Sequence, residues 1–181
     1  MIYGERIRFR GVEREDIPRF LEWFNDPEVL EGLTLYLPMN RTDEEAWFEN
    51  LSKRPPEERP LAIEIRVDEG WKHIGNCGFH QIDRIAHSAE VGIAIGDKSV
   101  WNQSYGSVAM RLLLKHGFET LNLNRIALDV YENNRWAIRT YEKTGFVREG
   151  CKRQAQYQHG QYDDVHLMSI LRSEWDLLNK D

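Results

Sequence analysis

The sequence predicts an α/β domain, a mixed sheet with helices on its faces. Short stretches with apolar residues at period two recur along the chain, and longer stretches with helical spacing interrupt them. Their order is β-α-α-β-β-β-α-β-α-β-β, which mixes strands with helices throughout. At 181 residues and 41% hydrophobic content, the chain can bury a core without disulfide support, so one domain over residues 1–181 is expected.

Each element has a local cause. Ile7 and Phe9 alternate with Arg6, Arg8 and Arg10, a first strand. Residues 16–24 carry Ile17, Phe20, Leu21 and Phe24 at helical spacing, and Pro18 falls in the first turn, where its missing donor does no harm. Thr42-Asp43-Glu44-Glu45 has the pattern of a capping box opening a helix that runs through Leu51. The run Arg54-Pro55-Pro56-Glu57-Glu58-Arg59-Pro60 reads as an exposed loop whose prolines forbid helix. Residues 61–67, 72–83 and 89–95 read as strands, with Gly75 and Gly78 marking a bulge or bend. Residues 105–120 form a helix with Val108, Leu112 and Phe118 on one side, and residues 125–130 a strand. Residues 134–144 form a helix that Gly145 ends as the residue after its cap. Residues 146–150, extended to 156, and 164–171 close the domain as two more strands.

Composition narrows the function classes. A net charge of −6 argues against nonspecific nucleic-acid binding, which runs on clustered Lys and Arg, and suits a cationic substrate or plain solubility. No apolar run approaches a membrane span, so no membrane partner is expected. Met1-Ile2-Tyr3-Gly4-Glu5-Arg6 lacks an export signal, and Cys77 and Cys151 form no CxxC pair, which together predict a reducing, cytoplasmic home. No His pair sits at i, i+4 with a carboxylate and no Cys joins one, so no metal site is expected.

The chemistry concentrates between Ala89 and Phe146. The strand Glu90-Val91-Gly92-Ile93-Ala94-Ile95 leads through a short loop to Ser104-Tyr105-Gly106-Ser107 at a helix start. The first N–H groups of a helix lack internal partners and carry partial positive charge, so this junction suits a phosphate. Further on come Asn134, Ile138, Tyr141-Glu142-Lys143 and Gly145-Phe146. In that register they resemble the closing motif of the GNAT superfamily of N-acetyltransferases. Trp101-Asn102-Gln103-Ser104-Tyr105-Gly106-Ser107 is similar to the family's pyrophosphate loop, above all in the branch of ribosomal-protein N-terminal and spermidine acetyltransferases. There are two departures. Trp101 stands where Arg or Gln is usual, and Ser104 stands where the first loop Gly is usual, although Ser takes positive φ only at a cost.

The resemblance implies a largely antiparallel sheet of six or seven strands, acetyl-coenzyme A as co-substrate, and a primary amine as acceptor. It assigns Ile93, Ala94 and Ile95 to backbone pairing with the pantetheine arm, residues 101–107 to the pyrophosphate, and Asn134 to the cofactor near its sulfur. Tyr141 becomes the acid that protonates the departing thiolate. Glu90 and Asp129 are the two candidates for the base. Asp26, Glu28 and Tyr36 fall in the stretch that walls the acceptor site in this branch, and their charge suits an ammonium group. A peptide N-terminus is the expected acceptor. Spermidine or another small amine is the alternative, and an inactive acyl-coenzyme A binding module is the rival of another class. Acyl length and oligomeric state, a homodimer included, stay open.

Overall fold

A computed structural model describes residues 1–33 and 35–180. Among the described residues, eight strands make a mixed, mostly antiparallel sheet. That exceeds the expected six or seven because of β1 (Ile2–Tyr3), which at two residues is too short to show an alternation. The chain forms two compact units. One comprises Met1–Phe79 with Gly92–Ala109, and the other His80–Val91 with the chain from Met110 onward.

The first unit holds β1, β2 (Ile7–Gly11), α1 (Ile17–Trp23), α2 (Pro27–Leu30), α3 (Arg41–Leu51) and β3 (Leu61–Val67), with the larger part of β4 (Gly70–Asp83). These strands pair antiparallel in the order β1-β2-β3-β4. Alternation puts Ile7, Phe9, Ile63 and Ile65 on the buried side. The expected bulge lies beside Gly75, since Ile63 pairs with Gly75 but Glu64 pairs with His73, leaving Ile74 without a partner across the ladder.

Two local readings need correction. The cap of α3 is Asn40, whose Oδ1 accepts from the Asp43 N–H at 3.1 Å. Asparagine caps as well as any residue, so the helix begins ahead of Thr42 and Glu44 is free to turn inward, where it is 3% exposed. In the proline-rich loop, Pro56–Glu58 makes one 3-10 turn, because a proline in the first position of a turn loses no bond. The short helix α2 was absent from the sequence reading. Asp26 caps it and Pro27 opens it.

A buried ionic network ties β2, β3, β4 and the start of α1 together. Arg10 donates to both oxygens of Asp16, at 2.7 and 2.8 Å, and to Glu64 at 2.9 Å. Arg8 takes the other oxygen of Glu64 at 2.6 Å. His73 Nδ1 lies 3.0 Å from Asp16, while its Nε2 lies 2.9 Å from the carbonyl of Gly75. Burial works against charge on Asp16, yet the bonds from Arg10, His73 and the Glu13 N–H outweigh it and hold its carboxyl far below the usual range.

The second unit holds the first residues of β5 (Ser88–Ile95), most of the second half of α4 (Tyr105–Lys115), and β6 (Arg125–Tyr131), α5 (Arg135–Lys143), β7 (Val147–Gln158), β8 (Gln161–Leu171) and α6 (Arg172–Leu178). Ser88, Ala89 and Glu90 run parallel to Arg125, Ile126 and Ala127. β8 pairs antiparallel with β6 on one side and β7 on the other. Past Lys115 the helix widens into a π-turn over His116–Thr120, and the Arg172 guanidinium donates to the carbonyls of Phe118 and Leu123 there. Gly145 has φ +101°, and a Cβ on it would meet Leu178 at 2.5 Å, so only glycine ends α5 this way.

Candidate active site

In the first unit, β5 ends against β4 at unusually close range. A Cβ on Gly75 would sit 2.1 Å from the carbonyl oxygen of Ala94 and 2.9 Å from Cα of Ile95. The bulged Ile74 carbonyl accepts from the N–H groups of Gly96 and Asp97 at 3.0 and 3.1 Å. Lys72 reaches Asp97 at 2.7 Å, and Asp97 caps the turn that follows by accepting from Ser99. A Cβ on Gly96 would lie inside the Trp23 ring, at 2.2 Å. The segment containing Ile93, Ala94 and Ile95 is thus held by backbone contacts, as a strand that must present its edge to a ligand requires.

The loop that follows explains one of the sequence departures. Trp101 donates from Nε1 to the carbonyl of Ile95 at 2.8 Å and packs beside Phe20 and Trp23, so it latches the loop to the strand. Asn102 and Ser104 both take left-handed backbone, with φ +62° and +65°. Ser104 therefore adopts the conformation that glycine adopts without cost, and its carbonyl accepts from the Val108 N–H at 3.1 Å and from the Ser107 hydroxyl at 2.9 Å. Alternating left-handed residues just before a helix turn successive N–H groups toward one side, a concavity suited to phosphate oxygens. A Cβ on Gly106 would meet, beyond the helix's own backbone, only Ile95 Cγ1 at 4.0 Å. Gln103 bonds back to the Ser99 carbonyl. The Tyr105 hydroxyl accepts from Arg6, whose guanidinium also lies 5.0 Å over its ring.

The expected acceptor residues are less uniform. Asp26 and Glu28 come together, and Lys98 holds both, at 2.6 and 2.8 Å. That lysine, with the Glu28 N–H, lowers the Asp26 carboxyl below its ordinary range. Tyr36 is exposed and takes no part in the aromatic cluster of Phe20, Trp23, Phe24 and Trp47. Trp23 and Trp47 anchor helices, as their spacing suggests. The sequence reading passed over Glu44, a carboxyl that burial pushes above its usual range, because its place in the capping pattern hid its inward turn.

In the second unit, Tyr141 is buried in α5, with its ring centroid 5.7 Å from that of Phe146. Burial alone pushes its hydroxyl up to about 12, so it stays a phenol with a proton to give. Asn134 caps α5, its Oδ1 accepting from the Ala137 N–H at 3.1 Å, which leaves its amide N–H groups as the part able to reach a ligand. The two base candidates differ. Asp129 is gripped by Lys152 at 2.6 Å. Glu90 meets Gln81 Nε2 at 2.8 Å and His80 Nε2 at 3.3 Å. Neither partner is legible in the sequence, since neighbours on a strand should face opposite ways.

Comparison with known proteins places this geometry. A family model described as an acetyltransferase (GNAT) domain matches residues 6–147. An uncharacterized N-acetyltransferase p20 of Bacillus licheniformis is 29% identical over 96% of this chain and 97% of its own length. A putative ribosomal N-acetyltransferase, YdaF of Bacillus subtilis, is 28% identical over 96% of this chain and 95% of its own. The solved spermidine N-acetyltransferase of Vibrio cholerae, in complex with CoA and spermine, superposes with a TM-score of 0.83 at 27% identity, covering 95% of this chain and 99% of that one. The expected family resemblance holds, and the chain belongs to the GNAT family of acetyl-CoA-dependent N-acetyltransferases.

Proposed function

We propose that this protein transfers acetyl from acetyl-CoA to a single primary amine, the α-amino group of a peptide, by direct attack within one catalytic domain spanning residues 1–181. The family match and near full-length relatives support the single catalytic domain. The carrying observation for the acceptor is Lys98. It occupies both Asp26 and Glu28, so this acidic stretch offers a second ammonium little unpaired charge, which suits an acceptor with one cation better than a polycation.

Acetyl-CoA supplies the acetyl group as a thioester. In the first unit the backbone of Ile93, Ala94 and Ile95 would orient its arm and the N–H groups of residues 101–107 would take its phosphates; in the second, the Asn134 amide would be the donor for the part near its sulfur. The acceptor arrives as an ammonium and must lose a proton before it can attack. Glu90, which bonds to Gln81 and His80 while Lys152 bonds to Asp129, serves as that base in preference to Asp129. Tyr141 protonates the thiolate, since its raised pKa keeps it neutral at working pH.

Peptides with free and with blocked N-termini, spermidine and free amino acids would be compared as acceptors, read by thiol release and by mass of the product. Turnover of free peptides above the others supports the reading. Preference for spermidine would replace it with the polyamine reading, and release of thiol without any acetylated amine would make the chain a binding module.

A further inference from the structure

The geometry points to His80 as the outlet for the reaction's proton, a residue paired with Glu90 that relays each proton from the Glu90 carboxylate to solvent. This rests on the acetyl-transfer reading above and deepens it.

His80 and Gln81 are consecutive residues of β4. In a regular strand their side chains would leave opposite faces of the sheet. Here both reach the same atom, Oε2 of Glu90, at 3.3 and 2.8 Å. The backbone makes this possible, because Gln81 has φ +51°. That conformation costs a residue with a side chain, and such strain persists where the surroundings hold it, often at functional sites. No glycine sits at this break in the strand, and the residue present spends its side chain on Glu90. Among the described residues, Lys152 of β7 also acts on this carboxylate. Lys152 is close enough to Glu90 to feel its charge, while its own hydrogen bond goes to Asp129.

The proton balance requires an outlet. One N–H bond of the ammonium breaks and its proton goes to the Glu90 carboxylate. The freed lone pair forms the C–N bond at the thioester carbonyl. The C–S bond breaks with its electron pair on sulfur, which takes the proton of Tyr141, and the second N–H proton of the new amide restores the phenol. One proton per turnover is left on Glu90. The His80 side chain is 49% exposed against 42% for Glu90, so the imidazole is the wetter end of a pair that both face water. Its imidazole takes that proton across the 3.3 Å gap and gives it to water.

The test uses the full chain with an acceptor that the wild type acetylates. His80→Ala is expected to lower kcat by ~10- to 100-fold in dilute, non-basic buffer, the scale of a lost proton-transfer group. Acetyl-CoA affinity should stay at the wild-type value, and added imidazole should restore much of the rate. Glu90→Gln should lose rate without rescue by imidazole, because the first proton acceptor is gone. Gln81→Gly keeps the left-handed backbone and should lose the least. Wild-type kcat in His80→Ala would overturn the proposal. So would a loss that imidazole does not relieve, since that would mark a residue needed only for packing. A wild type that acetylates no amine would overturn the acetyl-transfer reading itself, and this inference with it.

Discussion

Gly75→Ala tests whether the close approach of two backbones aligns the cofactor strand. The added methyl would begin 2.1 Å from the Ala94 oxygen, 2.9 Å from Ile95 Cα and 3.0 Å from the Ala94 carbonyl carbon. A carbon and a carbonyl oxygen rest at about 3.3 Å or more, so the two segments must part by roughly 1 Å. All three obstructing atoms belong to the main chain, and no rotamer change can relieve them. Overpacking of this kind costs about 1–3 kcal/mol. For a chain of this size that lowers the melting temperature by about 2–4 °C per kcal/mol. The functional effect should be larger. A displacement of about 1 Å in a positioning group can cost on the order of 100-fold in rate, and the displaced atoms are those assigned to the pantetheine arm. Thermal melts, calorimetric titration with acetyl-CoA and kcat/KM would be measured together. Gly106→Ala is the comparison, because a methyl there meets nothing closer than 4.0 Å and adds helix propensity. It should leave the melting temperature level or higher and weaken acetyl-CoA binding only if phosphate lies over it. A Gly75→Ala protein with wild-type affinity and kcat/KM would refute the reasoning.

Other consequences can be checked directly. Tyr141→Phe should keep the packing against Phe146 and lower turnover by roughly 10- to 1,000-fold, with acetyl-CoA affinity nearly unchanged. In the wild type no alkaline loss of rate from this residue is expected below about pH 10, since its hydroxyl is pushed up to about 12. Glu44 has a folded pKa above its unfolded one, so it is best tolerated in acid and becomes a liability as pH rises through the folded value. Glu44→Gln should therefore raise the melting temperature at neutral pH, with the gain vanishing near pH ~4. Asp16 has the opposite sign. Its stabilisation is complete above the unfolded carboxylate range and is lost as pH falls. Asp16→Ala strips Arg10 of its counter-charge and the buried His73 of a hydrogen-bond partner, and should cost about 3–5 kcal/mol in denaturant melts at neutral pH, with the difference from wild type shrinking in acid.

Most of the fold was legible because its causes are local. The strand Leu61–Val67 and the cap, body and glycine stop of α5 follow from alternation, a capping Asn and a position that needs positive φ. What escaped was a cap displaced by two residues, or was set by partners distant in sequence. Glu44 looks like part of a cap until Asn40 takes that role. Asp26 and Glu28 look like an open acidic patch until Lys98, seventy residues on from Glu28, closes it. Ser104 and Gln81 hold left-handed backbone that their residue types argue against, and no pattern in a single sequence announces a strain that tertiary contacts impose. The catalytic candidates themselves were found by motif register, whereas their working environments, Lys152 on Asp129 and His80 on Glu90, belong to the fold.

The order of strands in the second unit has a bearing on how the chain is made. Among the described strands β8 is the last to be synthesised, yet it lies between β6 and β7 and supplies a ladder to each. Until residue 171 has left the ribosome, β6 lacks its antiparallel partner and β7 has none on either side. The π-turn that ends α4 waits as well, because Arg172, just beyond β8, bonds its carbonyls. The two ladders of β8 cannot close in the order their strands emerge, so their formation is a late event that needs contacts between distant parts of the chain, the kind that form slowly. A chain cut anywhere before β8 loses two ladders at once, and a nascent one exposes two open strand edges for as long as translation of that final segment lasts.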